Sequence, residues 1–470
     1  MLFNSITFLV FFIFVYGLFW IVPTWTGKKL LLLVSSYIFY AAWSPPYIFL
    51  LLFSSLWDWW LARVIGRTEN PTWRRSLLLL SLTSNMALLG YFKYGKFLLE
   101  NFSALLAPFG VIFHPMDPNI VLPLGISFYT FASLSYTIDV YRREIKADCR
   151  FTDYAFFVSF FPHLVAGPIV RASCLLPQIA APRTPTRNQI GWGLAMVCMG
   201  LFAKVVMSDN IFLPVVDKFY ASPSGHGAID TWAAILSFSG QIYYDFSGYS
   251  LCAIGLALCF GFSFPDNFRH PYAARGFSDF WRRWHISLST WLRDYLYISL
   301  GGNRNGILNT YRNLMLTMLI GGLWHGASWM FVLWGGLHGL YLSVEHIIRA
   351  QTPRLFAFIP RNLLLLELFT FIVVALTWIP FRSATPGDAA MVVAGLFNSS
   401  LPNVLGIHGL IAILAMFLTL GWHLALRDTC LEEMFEKIGQ PLQTGAISAC
   451  LIGLFLFSGG DQHAFIYFQF

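Results

Sequence analysis

The sequence predicts an all-α, polytopic integral membrane protein. Of its 470 residues, 57% are hydrophobic and only 11% are charged, whereas a soluble globular chain carries roughly 25% charged residues. The mean hydropathy is +0.63. Apolar runs close to the roughly 20 residues that one helical crossing of a bilayer needs recur from end to end. The chain therefore has too few charged residues to cover a water-facing surface and enough apolar segments for many membrane-spanning helices.

The apolar runs that predict these helices are separated by short polar connectors. The clear runs are residues 8–22, 76–92, 190–206, 363–378, 407–422 and 444–457. The first residues, Met1-Leu2-Phe3-Asn4, lack the positive charge of a signal peptide, so we expect the first run to be retained. No connector is long enough for an extramembrane domain. We expect one membrane-embedded domain over residues 1–470, with a catalytic core at about residues 120–345.

The net charge of +7 is expected to reflect membrane topology. Lys and Arg accumulate in the cytoplasmic loops of membrane proteins, and no basic stripe is interleaved with polar surface, so nucleic acid is not an expected partner. Arg63, Arg67, Arg74 and Arg75 cluster in one connector, which this rule assigns to the cytoplasmic side. The seven cysteines are scattered without a CxxC pair, and we predict no metal site.

The densest group of polar residues within apolar sequence lies at residues 277–304, "FSDFWRRWHISLSTWLRDYLYISLGGNR". On one continuous helix, a polar stripe about 80° wide would contain Arg282, His285, Ser289 and Arg293. This stripe is compatible with an interfacial helix that binds lipid phosphates, and with a re-entrant helix at a water-filled mouth. The ionisable His285 and the closing Gly301-Gly302 favour the re-entrant helix.

A second cluster surrounds His325 in "MLIGGLWHGASW", residues 318–329. The flanking sequence offers no other titratable side chain, so His325 is the principal candidate for chemistry, and Gly326 is expected to leave room for a substrate. A similar pattern, "WGGLHG", contains His338, which we interpret as a buried structural histidine. The repeated glycines are expected to let helices or a ligand approach the backbone closely.

These residues suit acyl transfer from a thioester. The sequence contains no GxSxG, phosphate-loop or HExxH motif. A buried imidazole stays neutral and can accept the proton of an attacking hydroxyl or thiol. The reaction further needs positioning and a hydrogen-bond donor to the developing oxyanion, for which His285 and the indole N–H of Trp324 are candidates. Asp245 could order the nearby arginines by pairing with them.

A transporter for an anionic solute is the alternative from another class. Histidines and arginines within membranes also serve proton relays and anion pathways. Against this alternative, the chain shows no matching pair of interrupted segments in two halves, the pattern of many inverted-repeat transporters.

Several motifs resemble those of the membrane-bound O-acyltransferase family. They are "FWRRWHISLSTWLRDYLYISLGGNR", "YRNLMLTMLIGGLWHGASW", "LPLGISFYTFASLSYTIDVYR", "FFPHLVAGPIVR" and "YYDFSGYS". The chain is similar to the membrane subunits of bacterial O-acetyltransferases that act on alginate, cellulose and peptidoglycan. The resemblance extends from the N-terminus to about Glu345.

The resemblance implies a fold, a site and a reaction. The fold is a ring of tilted transmembrane helices around a central funnel with re-entrant segments. His325 corresponds to the catalytic histidine and His285 to a second active-site position. The donor implied is acetyl-CoA used as a substrate, with no bound cofactor. Combining this with the polar residues of the 277–304 segment, we expect Arg282, Arg283 and Arg293 to hold the donor's phosphates near the cytoplasmic mouth, with Trp324 also at the donor site.

The resemblance also implies partners and a location. The acetyl group is expected to cross the bacterial inner membrane to a periplasmic SGNH-type partner, which places it on polysaccharide hydroxyls. A peptidoglycan or teichoic-acid-type acyltransferase is the alternative within the family.

Overall fold

The computed structural model confirms an all-α protein. It describes residues 1–111, 113, 120–351, 363–399, 404–457 and 465–466. These residues form helices and connecting loops, with no β-strand among them. They form two compact units, of which unit 1 comprises Met1–Leu194 with Ala253–Pro265 and unit 2 comprises Ala195–Cys252 with Asp266–Phe470. The expectation of a single domain stays a prediction.

Unit 1 contains helices of which three begin at a residue whose side chain caps the first turn, namely Ser5, Thr24 and Asn70. Its helices are Ile6–Ile21, Trp25–Ala41, Tyr47–Arg67, Pro71–Phe92, Gly95–Leu106, Ile126–Arg142, Phe151–Ser159, Phe161–Leu164 and Ala172–Ala180. Asn70 shows how one of them starts, because its side chain accepts hydrogen bonds from the backbone N–H groups of Thr72 and Trp73 at 2.9 and 3.2 Å. Pro71 occupies the first helical position, where its missing N–H costs nothing.

A buried carboxylate joins two of the unit 1 helices. Asp58 is fully buried. It accepts hydrogen bonds from Ser81 Oγ at 2.8 Å and from Asn85 Nδ2 at 3.0 Å. Because burying a polar group is costly unless it is hydrogen-bonded, these bonds tie helix Tyr47–Arg67 to helix Pro71–Phe92.

Unit 2 carries the polar motifs of the second half of the sequence. Its helices are Leu213–Tyr220, Phe277–Arg283, Ile286–Trp291, Ile307–His325, Trp329–Gln351, Leu363–Arg382, Pro386–Gly395, Gly406–Ala425, Leu431–Lys437 and Gln440–Phe457, with π-helical turns at Ala203–Phe212 and Leu292–Tyr297. Helices Arg187–Phe202 and Ala228–Cys259 contribute residues to both units.

Six helices within the described residues are long and apolar enough to cross a membrane, which confirms a multi-pass membrane protein. They are Tyr47–Arg67, Arg187–Tyr220, Ala228–Cys259, Leu363–Arg382, Gly406–Ala425 and Gln440–Phe457. The second of these runs without a break through Arg187–Phe202, the π-helical turn Ala203–Phe212 and Leu213–Tyr220. Four of them contain apolar runs singled out in the sequence. The run at 8–22 forms the shorter apolar helix Ile6–Ile21, and the run at 76–92 lies within helix Pro71–Phe92.

Close packing of two helices in unit 2 depends on glycine, as the sequence predicts. A Cβ atom on Gly322 would lie 2.3 Å from the carbonyl oxygen of Phe331, and one on Gly335 would lie 2.2 Å from that of Met318. Neither position therefore accepts a side chain without moving the backbone. This contact packs helix Ile307–His325 against helix Trp329–Gln351.

The continuous helix expected over residues 277–304 is wrong. Helix Phe277–Arg283 ends before His285, which has φ 43° and ψ 55°, and a second helix, Ile286–Trp291, follows. The break separates the predicted polar stripe: His285 is fully buried, whereas Arg282 and Arg293 are exposed. Helical periodicity failed here because one left-handed residue redirects the chain.

Candidate active site

His325 lies at the C-terminal end of helix Ile307–His325 and is only 3% exposed. Aromatic rings surround its imidazole. The Trp334 ring stands edge-on at 5.0 Å between ring centroids, with Phe381 at 5.5 Å and Trp324 at 5.1 Å. These rings enclose much of the imidazole and shield it from bulk water.

The space beside Gly326 does not take a substrate, contrary to the expectation. A Cβ atom at this position would lie 2.2 Å from the Phe331 ring. The missing side chain therefore makes room for an aromatic ring of unit 2. Sequence reasoning recognised the small residue, but it had no means of knowing which neighbour fills the space.

The structure brings His285 to His325, although 40 residues separate them in the chain. Their ring centroids lie 6.4 Å apart, and His285 also lies 5.8 Å from the Trp324 ring. The Phe246 ring also packs edge-to-face against His285, with 4.5 Å between the ring centroids. The two predicted catalytic residues and Trp324 thus form one cluster within unit 2.

Several polar atoms of this aromatic cluster have no hydrogen-bond partner among the residues that the structure describes. Neither ring nitrogen of His285 forms a hydrogen bond within the described residues, and the same holds for both ring nitrogens of His338 and for the indole N–H of Trp334. Most buried polar side-chain atoms in proteins are hydrogen-bonded. The cluster therefore presents donors and acceptors that a polar ligand can satisfy.

His338 lies nearer to this cluster than the sequence suggests. It is fully buried and its ring centroid lies 4.8 Å from that of Trp334. The Trp334 ring therefore contacts both His325 and His338. The interpretation of His338 as a structural histidine lacks its usual support, because its nitrogens make no hydrogen bond to the described residues.

Asn267 sets the backbone break at His285 and was missed by sequence reasoning. Its backbone oxygen accepts from the Ile286 N–H at 2.9 Å. Its side-chain oxygen accepts from the Ser287 N–H at 3.2 Å and from Ser287 Oγ at 2.9 Å, and its amide donates to Ser250 Oγ at 3.0 Å. The only signal in the sequence was an amide side chain close after the apolar run that ends near Phe264.

The three predicted phosphate-binding arginines have different surroundings. Arg283 forms an ion pair with Asp279 at 3.0 Å and donates to the carbonyl oxygen of Arg427 at 2.7 Å. Arg293 makes a two-pronged contact with Asp294 at 2.6 and 3.1 Å. Arg282 is exposed and forms no ion pair in the part of the chain that the structure describes.

Asp279 organises the charges near the first half of this segment. Burial by itself would raise the pKa of the Asp279 carboxyl, but the Arg275 N–H and the guanidiniums of Arg283 and Arg427 lower this pKa below its ordinary value. Arg427 approaches the carboxylate at 2.6 Å. The carboxylate therefore stays ionised and anchors Arg283.

Asp245 pairs with a lysine, and the expectation that it orders the arginines is wrong. Its carboxylate forms an ion pair with Lys204, which also contacts Asp209 at 2.7 Å, and all three residues are buried. Asp245 also accepts a hydrogen bond from the Ile466 N–H at 2.8 Å. Lys204 and Asp209 lie on the π-helical turn Ala203–Phe212, and charges inside a long apolar run were their signal in the sequence.

Metal ligands are not grouped among the described residues, where no set of three or more His, Cys, Asp or Glu side chains is placed to hold an ion. The chemistry that the cluster offers is that of buried imidazoles and indole N–H groups.

Comparisons with known proteins identify related chains over most of the sequence. The model of the membrane-bound O-acyltransferase family matches residues 8–381, which is further than the resemblance to Glu345 predicted. A relative named "Probable alginate O-acetylase AlgI" from Pseudomonas putida is 42% identical over 379 residues, covering 79% of this chain and 75% of the relative.

Two further relatives carry different names. A "Peptidoglycan O-acetyltransferase" from Helicobacter pylori is 40% identical over 394 residues, covering 78% of this chain and 73% of the relative. A "Teichoic acid D-alanyltransferase" from Streptococcus thermophilus is 28% identical over 234 residues, covering 47% of this chain and 56% of the relative. All of these names describe the transfer of an acyl or aminoacyl group.

Proposed function

The chain belongs to the membrane-bound O-acyltransferase family, and from this membership we propose that it transfers acetyl groups from a cytoplasmic thioester to an extracytoplasmic polysaccharide. The observation that carries the proposal is the pairing of His285 and His325, two buried imidazoles 6.4 Å apart that approach from separate segments. A structural role alone would not require two imidazoles in one apolar cluster.

His325 acts as the general base. Its neutral imidazole accepts the proton of an acceptor hydroxyl, while the hydroxyl oxygen attacks the thioester carbonyl carbon and a tetrahedral oxyanion forms. When this intermediate collapses, the carbon–sulfur bond breaks and the imidazolium returns the proton to the leaving thiolate.

His285 acts on the oxyanion. A neutral imidazole has one N–H donor, and the nitrogens of His285 are not occupied by the described residues. Its left-handed backbone conformation is unusual for a residue other than glycine and is set by contacts with Asn267. A fixed donor of this kind stabilises charge that develops in the transition state. Trp324 offers a second donor at 5.8 Å from His285, between ring centroids.

The donor is acetyl-CoA, bound through its phosphates by Arg282, Arg283 and Arg293. Arginine suits this role because its planar guanidinium donates bidentate hydrogen bonds to phosphate oxygens. Arg282 supports the assignment best, since it is exposed and makes no ion pair with the described residues. Arg283 and Arg293 would exchange part of their carboxylate contacts for phosphate.

The acceptor is an exopolysaccharide such as alginate or cellulose, reached through a periplasmic SGNH-type partner at the bacterial inner membrane. The relatives named for alginate O-acetylation support this acceptor. Peptidoglycan is the second candidate, because the relative named for it is similar to this chain to nearly the same extent, 40% against 42% identity.

Proteoliposomes with labelled acetyl-CoA outside test the reaction. The measurements are loss of thioester, label inside the vesicle and label on alginate, cellulose or peptidoglycan fragments supplied with a partner. We expect wild-type protein to consume the donor and H325A to lose this activity by about 10²–10⁴-fold, the usual contribution of a general base. H346A, which removes an exposed histidine, is the control.

Two outcomes would contradict the proposal. If H325A and wild type consume acetyl-CoA equally, His325 is not the base. If both move an anionic solute without breaking the thioester, the transporter alternative replaces the enzyme.

The arginine assignment has its own test. R282E should raise the KM for acetyl-CoA more than it lowers kcat, because the lost contact binds the donor in the ground state and the transition state alike. An unchanged KM would remove Arg282 from the donor site.

A further inference from the structure

Unit 1 contains a basic cavity that the acyl-transfer reaction does not use. The cavity has a volume of about 400 Å³. Five cationic side chains line it: Arg63, Arg67, Arg74, Arg143 and Lys146. All of its lining residues lie between positions 63 and 148, within unit 1, whereas His285 and His325 belong to unit 2.

The walls of the cavity are joined by one buried guanidinium. Arg74 is 7% exposed. It donates to the carbonyl oxygens of Ile65 at 3.0 Å, Thr68 at 3.3 Å and Tyr141 at 2.7 Å. The Ile65 carbonyl lies in the last turn of helix Tyr47–Arg67, and the Thr68 carbonyl directly follows that helix. The Tyr141 carbonyl lies at the C-terminal end of helix Ile126–Arg142. Arg74 therefore holds both helix ends together.

The remaining charges do not cancel. Glu69 and Asp148 are the carboxylates of the lining, and Glu69 is engaged by Arg143 at 3.2 Å. Arg63 lies over the Trp59 ring at 4.9 Å, and like Arg67 and Lys146 it has no ion-pair partner among the described residues. With five cations against two carboxylates, the cavity attracts anions.

The attraction of cations to helix C-termini does not by itself explain why five cationic side chains line this cavity. Cations at a helix C-terminus interact favourably with its unpaired carbonyls. Arg74 already satisfies three of these carbonyls, so Arg67 and Lys146 are not required for that purpose. They are exposed, and they line a concave space instead of lying flat on the surface.

Two exposed tryptophans near the cavity favour a position at the depth of lipid headgroups. Trp60 and Trp73 are 48% and 65% exposed, on the two helices that end or begin at the cavity. Exposed tryptophans concentrate at membrane–water interfaces. Basic pockets between transmembrane helices on the cytoplasmic side suit anionic headgroups.

We propose that this cavity binds the phosphate of an anionic phospholipid headgroup. Arg67 and Lys146 contact the phosphate oxygens, Arg63 neutralises further charge from its position over Trp59, and the acyl chains lie along the exposed apolar faces of helices Tyr47–Arg67 and Pro71–Phe92. This site does not depend on the acyl-transfer proposal.

The test uses purified, delipidated full-length protein in detergent micelles at 0.15 M ionic strength, a concentration that screens diffuse surface attraction. Binding of phosphatidylglycerol and of phosphatidylcholine is measured by native mass spectrometry. The test variant is R67Q/K146Q. The matched control is R75Q/R150Q, which removes two exposed cations of unit 1 that do not line the cavity.

We expect the wild type to prefer phosphatidylglycerol. Because one cation near an anionic headgroup contributes roughly fivefold to binding, R67Q/K146Q should weaken phosphatidylglycerol binding by about 25-fold. The control should change it by no more than about threefold, since its charges act only through screened, diffuse attraction. If both variants melt at the temperature of the wild type in phosphatidylcholine, they are folded.

Two results would overturn the proposal. Equal losses in the test and control variants would mean that the cations attract lipids only through overall charge. A rise in the melting temperature with millimolar inorganic phosphate that R67Q/K146Q abolishes, without any preference for phosphatidylglycerol, would mean that the cavity takes a soluble phosphate compound instead of a lipid.

Discussion

His163 in unit 1 and His285 in unit 2 are both buried against aromatic rings, yet their ring nitrogens have different surroundings. His163 Nε2 lies 2.9 Å from the carbonyl oxygen of Phe157. Both nitrogens of His285 are without a hydrogen-bond partner among the described residues. A satisfied imidazole contributes to packing, whereas an unsatisfied one gains its partner when a ligand binds. If His285 acts on the oxyanion as proposed, hydrogen-bond satisfaction and not burial separates it from His163.

Two buried carboxylates, one in each unit, both have partners and so resemble His163 in this respect. Asp58 in unit 1 is satisfied by the neutral donors Ser81 and Asn85, and Asp245 in unit 2 is satisfied by Lys204 and a backbone N–H. We therefore expect changes at satisfied groups to alter stability and changes at the unsatisfied imidazoles to alter turnover.

The largest expected effect is on stability, from K204M. Loss of the ammonium leaves the carboxylates of Asp209 and Asp245 buried without their cation, which costs about 3–5 kcal/mol of unfolding free energy. Denaturant unfolding in detergent measures it, with K437M, at an exposed lysine, as the control. Equal stability of K204M and K437M would show that the ion pairs contribute nothing net.

The next effect is on turnover, from H285A compared with H163A. Loss of one donor to an oxyanion lowers kcat by about 10²–10³-fold, so H285A should be slow but folded. H163A should be less stable, with a nearly normal kcat for the folded fraction. Thioester consumption per folded molecule measures both. A normal kcat in H285A would leave its unpartnered nitrogens without a catalytic role.

A smaller effect on turnover is expected from N267A, because Asn267 acts through His285. Loss of its contacts with Ser287 and Ser250 costs about 1–3 kcal/mol in buried hydrogen bonding, and kcat should fall about tenfold while the donor KM changes little. N267D keeps the acceptor for Ser287 and should restore part of the rate. Identical rates in N267A and N267D would contradict a positioning role.

The smallest effect is expected from D279N, on the pH dependence of stability. The folded-state pKa of Asp279 is lowered, so its contribution is fully present above the ordinary aspartate pKa of about 3.9 and is lost as the pH falls through the lower folded-state value. D279N should be about 1 kcal/mol less stable at neutral pH, and its stability should fall less steeply in acid. Parallel pH curves for the two proteins would contradict this role.

Much of the fold was predictable, because membrane insertion depends on local hydrophobicity. The apolar runs mark helices that form in the structure, and the glycines of "IGGLWHG" and "WGGLHG" indicated close helix packing. Histidines within apolar runs could also be recognised from the sequence, because an ionisable side chain is costly to bury in a membrane whatever its contacts are.

The sequence by itself determined the all-α membrane class, the family and the candidate pair His285 and His325. Only the tertiary structure decided that these imidazoles meet, that Asn267 breaks the helix at His285, that Phe331 fills the space beside Gly326, and that Asp245 pairs with Lys204. Each of these depends on contacts between residues distant in the chain or on one left-handed backbone position. Apolar runs and helical periodicity describe only neighbours along a regular helix, so they carry no information about such contacts.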